Sequence, residues 1–194
     1  MMRFWWGVLS VVLAAATSAG VAAAQSDGLP AEWETRKNLS DLTLGAQGLK
    51  PFLDSLKPEE WAENGAPSAY AAQLKSAQDQ LRYLADVAGK LSQQPDKLSL
   101  ALETYFRYQA LESMIGSVSA AVRKYQNSAI AELLENQLAQ CAPSRDKLRQ
   151  YVLALVVAKE QEFAVADREA QRCRQTMSRQ PAQPPAPAAK QDRK

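Results

Sequence analysis

Residues 145–177 constrain the fold of this chain more than any other stretch, because they contain neither proline nor glycine. Their apolar side chains recur every three or four residues, the spacing that places side chains on one face of an α-helix. That face carries Leu148, Val152, Leu155, Phe163, Ala166, Ala170, Cys173 and Met177, with Lys159 as its one polar step. The pattern predicts a single long helix.

The two halves of this predicted helix differ in hydrophobicity. Residues 148–158 are apolar on nearly every side, which favours the interior of a helical bundle. Residues 163–177 keep only a thin stripe, with charged residues beside it. One alternative is that residues 163–177 pair with another helix in a coiled coil, either from the same protein or from a partner protein. The other alternative is that residues 39–56 cover them. Both alternatives stay open, and the candidate interaction residues are Phe163, Ala166, Ala170, Cys173 and Met177.

Three more helices are predicted upstream, over residues 68–92, 97–126 and 129–140. The connections between them are short, so successive helices are expected to be antiparallel neighbours. Two glycines and a proline interrupt residues 39–56, which predicts a broken or kinked element there. The predicted fold is all-α: an antiparallel bundle of three to four main helices, with an irregular N-terminal segment and a long C-terminal helix.

Three local predictions concern helix ends and crossings, and a fourth concerns an ion pair between helices. Asp96 is a predicted N-cap of the helix over residues 97–126, and Ser144 is a predicted N-cap of the long final helix. Gly116 lies inside an otherwise regular helical pattern, which favours a close helix crossing over a break. Glu112, at the edge of the apolar stripe, is expected to reach a basic residue on a neighbouring helix.

The chain begins with the features of a secretory signal peptide. Arg3 precedes an apolar run that starts at Phe4, and small residues follow as far as Ala24. A positive start, a short apolar core and an A-x-A site are typical of a cleaved signal. We therefore expect cleavage near Ala24, a periplasmic or secreted protein, and no transmembrane segment in the mature chain. The alternative is an uncleaved anchor, because the apolar segment is long enough to span a bilayer.

The predicted domain organisation has three parts. Residues 1–24 form the signal peptide, residues 25–179 a single helical domain, and residues 180–194 a disordered, basic tail rich in proline and alanine. The alternation of proline and alanine suits a spacer, and Lys190, Arg193 and Lys194 at its end suit weak contact with anionic cell-envelope material.

Charge is unevenly distributed between the two parts of the mature chain. Residues 25–140 carry 11 basic and 15 acidic side chains, whereas residues 141–194 carry 11 basic and 6 acidic ones. The basic C-terminal third either packs beside the acidic helices or leaves the tail free to bind anions. Nucleic acid is not an expected partner, because the chain has no dense basic patch.

Residue types exclude most catalytic chemistry. The sequence has no histidine, so it lacks the commonest general base and the commonest transition-metal ligand. A Ser-His-Asp triad, a Cys-His pair and a Glu-x-x-His di-iron site are therefore impossible. No CxxC motif or glycine-rich phosphate loop is present. We predict no catalytic residue, no metal site and no cofactor. A carboxylate- or hydroxyl-dependent enzyme with a groove site remains the alternative.

The state of the two cysteines is not fixed by the sequence. Two cysteines in an exported protein usually indicate a disulfide, but a continuous helix separates Cys141 from Cys173 by on the order of 45 Å. A disulfide needs Cα atoms within roughly 7 Å, so the helix breaks, the bond is intermolecular, or the thiols are free.

Trp33 and Trp61 are candidate aromatic contacts for sugar or peptide, although tryptophan beside an apolar stripe is more often core.

The functional prediction follows from these patterns. The chain is expected to be an exported, non-enzymatic helical-bundle protein that acts by binding, most readily to protein, through its long C-terminal helix. The alternatives are the groove enzyme described above and attachment to the cell envelope through the basic tail. No motif specifies the ligand.

Overall fold

The structure is a computed structural model that describes residues 28–179, so the expected signal peptide and tail lie outside the described residues. The described part is helical and contains no strand. Its helices are α1 (Glu32–Gln47), α2 (Lys50–Asp54), α3 (Pro58–Glu63), α4 (Ala69–Gln93), α5 (Leu98–Tyr125), α6 (Ser128–Ala139) and α7 (Ala142–Arg179). The predicted all-α bundle is confirmed.

Four helices form the bundle. α1 and α5 each pack against both α4 and α7, so the four are arranged in a closed ring around a shared core. α6 packs along α5 and also contacts α1 and α2, while α3 packs on α4. Burial of leucine, isoleucine and valine between these helices supplies the stability, at about 25 cal/mol per Å² of apolar area. Fully buried members of the core include Leu42, Leu84, Leu111, Ile115, Leu134 and Leu155.

The N-terminal segment is more regular than predicted. α1 continues through Gly45 as far as Gln47, and the chain breaks only at Gly48 and Leu49 before α2 begins. A Cβ on Gly45 would lie 2.9 Å from Cys141 Sγ, and the Gly45 carbonyl accepts a hydrogen bond of 2.9 Å from Gln137 Nε2. Gly45 therefore allows α1 to approach the turn between α6 and α7 closely, and α1 becomes a true bundle helix.

Three of the local predictions are wrong. The N-cap of α5 is Lys97, one residue later than Asp96, and no side chain caps this helix. α7 begins at Ala142, so Ser144 lies inside its first turn, and Pro143 is tolerated there because the first amides of a helix have no intrahelical partner. Gly116 is exposed and a Cβ would meet nothing within 4 Å, so no close helix crossing occurs at that residue.

Within residues 28–179, no helix combines the length and the hydropathy that a membrane span requires.

Candidate protein-interaction surface

The length of α6 sets the level at which α7 begins. α6 has 12 residues and α5 has 28, which correspond to rises of ~18 Å and ~42 Å. α7 therefore starts about halfway along α5, where Arg145 Nη1 lies 2.9 Å from Glu112 Oε1. This ion pair confirms that Glu112 reaches a basic residue on a neighbouring helix.

From that level α7 runs antiparallel to α5 and leaves the bundle. The Tyr151 hydroxyl donates to the carbonyl of Pro95, in the turn where α5 starts. Lys159 lies as many residues after Arg145 in α7 as Leu98, the first residue of α5, lies before Glu112. Because the two helices run in opposite directions, Lys159 is level with the start of α5. The part of α7 beyond Lys159 therefore has no length of α5 left to pack against.

The half of α7 that projects beyond the bundle comprises residues 160–178 and is called the rod below. Every residue in it is exposed, and at 1.5 Å per residue it is ~28 Å long. Phe163 is 75% exposed and Met177 is 74% exposed. All five candidate interaction residues lie on the rod with their side chains uncovered: Phe163, Ala166, Ala170, Cys173 and Met177.

The stripe of the rod continues the face of α7 that packs into the bundle. Successive side chains are about 100° apart around a helix of 3.6 residues per turn. By this rotation, Phe163 and Met177 lie on the same side of α7 as Leu148, Val152 and Leu155, which are buried. One apolar face thus runs along all of α7, and the described residues cover only its first half.

Residues 39–56 do not cover the rod, so this predicted alternative is wrong. Leu39, Leu42, Leu49 and Leu53 are at most 2% exposed, because they point into the core of the bundle. α1 lies beside the first half of α7, where Asn38 Nδ2 donates a 3.0 Å hydrogen bond to the carbonyl of Ser144. Apart from Leu44, which is 64% exposed, the leucines of this segment are buried in the core of the bundle, away from the rod.

The first half of α7 is less enclosed than its composition predicts. Leu153 is 59% exposed and Val157 is 51% exposed, although both lie in the segment that reads as buried on all sides. The ring arrangement explains this, because α1 and α5 cover one side of α7 and leave the other side in solvent. Val165 is also 46% exposed. It lies off the stripe, so helical spacing does not identify it as a candidate interaction residue.

Charge is segregated along the rod. Its proximal part carries Glu160, Glu162 and Asp167, whereas its distal part carries Arg168, Arg172 and Arg174, with Glu169 as the one acidic exception. Lys159 Nζ lies 2.9 Å from Glu162 at the base. Arg168 and Arg174 donate only to carbonyls of their own helix, at 3.1 and 3.3 Å. None of the three arginines pairs with a carboxylate of the described residues.

The two cysteines are free and far apart. α7 is continuous from Ala142 to Arg179, so about 48 Å of helix separates them and an intramolecular disulfide is excluded. Cys141 is 2% exposed, beside Gly45, and burial raises the pKa of its thiol. Cys173 is exposed on the stripe of the rod. An intermolecular bond and a free thiol remain open for Cys173.

The two tryptophans have different environments. Trp61 is 1% exposed, and its Nε1 donates a 2.8 Å hydrogen bond to Gln126 Oε1. Its indole is part of the core, so Trp61 is ruled out as an aromatic contact for a ligand. Trp33 is 68% exposed at the start of α1 and remains available to a ligand.

The carboxylates lie on solvated surface in the described part of the chain. The buried polar side chains there are those of Thr35, Asn38, Thr104 and Ser119, none of them a carboxylate. A groove of ≈ 750 Å³ opens between α2 and α4, lined by side chains of mixed charge such as Lys50, Asp54 and Arg82. Within residues 28–179, no three cysteine, aspartate or glutamate side chains lie close enough together to hold a metal ion.

Comparison with protein-family models, curated proteins and solved structures finds no match to this chain.

Proposed function

We propose that this chain is an exported, non-enzymatic helical-bundle protein that acts by binding a protein helix on the rod. The observation that carries this proposal is the continuous apolar face of α7, whose second half is uncovered. Phe163 and Met177 are each about three-quarters exposed near opposite ends of that half. Burying such a side chain contributes about 1.5–3 kcal/mol, so a partner helix that covers both gains a large part of the free energy needed to offset the cost of association.

The geometry of the stripe defines the chemistry of the partner. Phe163, Ala166, Ala170, Cys173 and Met177 follow one another at alternating steps of three and four residues. This is the heptad spacing at which two helices pack side by side. Alanine at two central steps allows the partner helix to approach closely. The partner is therefore a helix with its own apolar stripe, and export is supported by the first 24 residues of the sequence.

Site-specific photo-cross-linking tests this proposal. We expect a photoreactive phenylalanine analogue at position 163 to give a discrete protein adduct in the cells that make the protein. The same analogue at position 175, on the opposite face of the rod, controls for collisions, because Gln175 lies about 160° around the helix from the stripe. Absence of any adduct at position 163, or equal adducts at both positions, would contradict the proposal.

A further inference from the structure

We infer that the Asn64–Gly65 peptide at the end of α3 is a site of spontaneous deamidation that the native fold holds closed. The reaction converts the asparagine into aspartate or isoaspartate after the C-terminal turn of α3 has opened, and its products prevent that turn from closing again. The modification therefore marks chains that have lost this part of the structure. The inference concerns α3 and goes beyond the binding function proposed for the rod.

The sequence supplies the reactive pair, because Asn64 is the one asparagine of the chain that is followed by glycine. In deamidation the backbone nitrogen of the next residue loses its proton and attacks Cγ of the asparagine side chain. A carbon–nitrogen bond forms, the side-chain nitrogen leaves as ammonia, and a five-membered succinimide ring results. Water then opens the ring at either carbonyl, which gives aspartate or isoaspartate. Glycine favours this attack, because it has no Cβ to hinder the nitrogen or to restrict the backbone.

Protection of this pair comes from the backbone conformation of the turn and not from burial. Asn64 and Gly65 are both exposed, so water reaches them. Gly65 has a φ of 82°, the left-handed conformation with which many helices end. Its N–H donates a 3.0 Å hydrogen bond to the carbonyl of Ala62, and the Ala66 N–H donates one of 3.0 Å to the carbonyl of Trp61. These two bonds define a Schellman motif, so the C-terminus of α3 is a regular, fully paired turn.

The closed turn keeps the attacking nitrogen away from the side chain of Asn64. The ψ of Asn64 is 13°, so the Gly65 nitrogen nearly eclipses the backbone nitrogen of Asn64 about the Cα–C bond. Ring closure requires the Gly65 nitrogen to eclipse Cβ instead, which is a different substituent of the same tetrahedral carbon. The side chain is also held, because Asn64 Nδ2 donates a 3.0 Å hydrogen bond to the carbonyl of Glu60. The native turn therefore lacks the geometry of attack.

The turn is anchored to the core of the bundle through Trp61. This residue is 1% exposed, and Ala66, which donates to its carbonyl, also packs against the core. Rotation about ψ of Asn64 displaces Gly65 and the residues after it, so ring closure breaks both hydrogen bonds of the motif. Each such bond shifts an equilibrium by about fivefold. We therefore expect deamidation in the native protein to be slower than in the unfolded chain by on the order of tenfold or more.

Neither product fits the turn. Aspartate at position 64 lacks the N–H donor that bonds the carbonyl of Glu60, and its charge lies at the C-terminal end of α3, where the helix dipole disfavours an anion. The side chain of Glu60, one helical turn earlier, adds like-charge repulsion. Isoaspartate lengthens the backbone by one methylene group, so the N–H groups of Gly65 and Ala66 no longer reach their carbonyls together. The turn therefore stays open after the reaction.

Peptide mass spectrometry tests the protection of the site. The chain is incubated in a mildly alkaline buffer, once folded and once in guanidinium chloride, and the tryptic peptide that contains Asn64 is analysed for the change from amide to acid. Conversion should be about tenfold faster or more in the unfolded chain. Asn64→Gln is the control, because glutamine would need a six-membered ring and its peptide should stay unchanged in both states. Equal rates in the two states, or no conversion of Asn64 in the unfolded chain, would overturn the inference.

Two aspartate substitutions test the effect of the product. Asn64→Asp is expected to lower the thermal midpoint of unfolding by about 2–4 °C. Asn127→Asp is the matched control, because it makes the same change of amide to acid at the N-cap of α6, where Asn127 Oδ1 accepts a 2.8 Å hydrogen bond from the Ala129 N–H. An acid is favourable at that end of a helix, so this variant should keep its midpoint or raise it. An Asn64→Asp midpoint that does not fall would contradict the inference, because the turn would then accept the product.

Discussion

Replacing Trp61 by alanine is expected to lower the free energy of unfolding by about 3–5 kcal/mol. Trp61 is 1% exposed and anchors α3 on α4, so its removal leaves a large cavity. It also leaves Gln126 Oε1 without the hydrogen bond it accepts from the indole at 2.8 Å. The urea midpoint, followed by circular dichroism at 222 nm, measures this loss.

Trp33→Ala is the matched control for this prediction. Trp33 is 68% exposed, and exposed substitutions usually change stability by less than about 0.5 kcal/mol. Trp61→Phe separates the two contributions of the buried indole, because it keeps most of the apolar contact and loses the hydrogen bond, worth about 1 kcal/mol. A loss below about 1 kcal/mol for Trp61→Ala would show that α3 does not belong to the cooperative core.

Replacing Leu155 by alanine is expected to cost about 2–5 kcal/mol. Leu155 is 0% exposed on the face of α7 that packs between α1 and α5. Leu153, two residues earlier, has the same side chain on the same helix but is 59% exposed. Leu153→Ala is therefore expected to change the free energy of unfolding by less than about 0.5 kcal/mol. Thermal or urea unfolding of the two variants under identical conditions measures the difference.

The comparison of these two leucines tests the route of α7. If both substitutions cost several kcal/mol, the first half of α7 is buried on all sides, as its composition alone predicts. If neither substitution costs stability, α7 does not pack in the ring with α1 and α5. Only a large difference between them agrees with a helix that is covered on one side and solvated on the other.

The long helix was predictable because its signal is local. The spacing of Leu148, Val152 and Leu155 depends only on helical geometry, and the same spacing identified the five stripe residues of the rod. Whether those residues are covered was not predictable. That depends on where α7 starts relative to α5, which is fixed by the difference in length between α6 and α5 and by the contact of Arg145 with Glu112. The position at which α7 starts along α5 depends on tertiary packing, and the spacing of apolar residues does not reveal it.

The errors near the N-terminus have a related cause. Gly45 weakens a helix by its intrinsic propensity, and the prediction of a broken segment followed from that rule. In the fold the missing side chain makes room for Cys141 Sγ, and packing outweighs propensity. Once α1 is known to continue to Gln47, the stripe of Leu39, Leu42 and Ala46 places Trp33 on the outer face. Trp61 lies in a helix of six residues, which is too short for any such pattern.

The residue types in the sequence also limit the chemistry that the site can perform. The absence of histidine excludes the classes of catalysis that depend on an imidazole.

The most direct measurement of the central claim is the alkylation rate of each thiol in the native protein in dilute solution, compared with its rate in the unfolded chain. In dilute solution Cys173 should react as fast as in the unfolded chain, whereas Cys141 should resist, since burial raises the pKa of its thiol and restricts access. A Cys173 thiol that is protected at every dilution would contradict the account, because the rod would then be covered by its own chain.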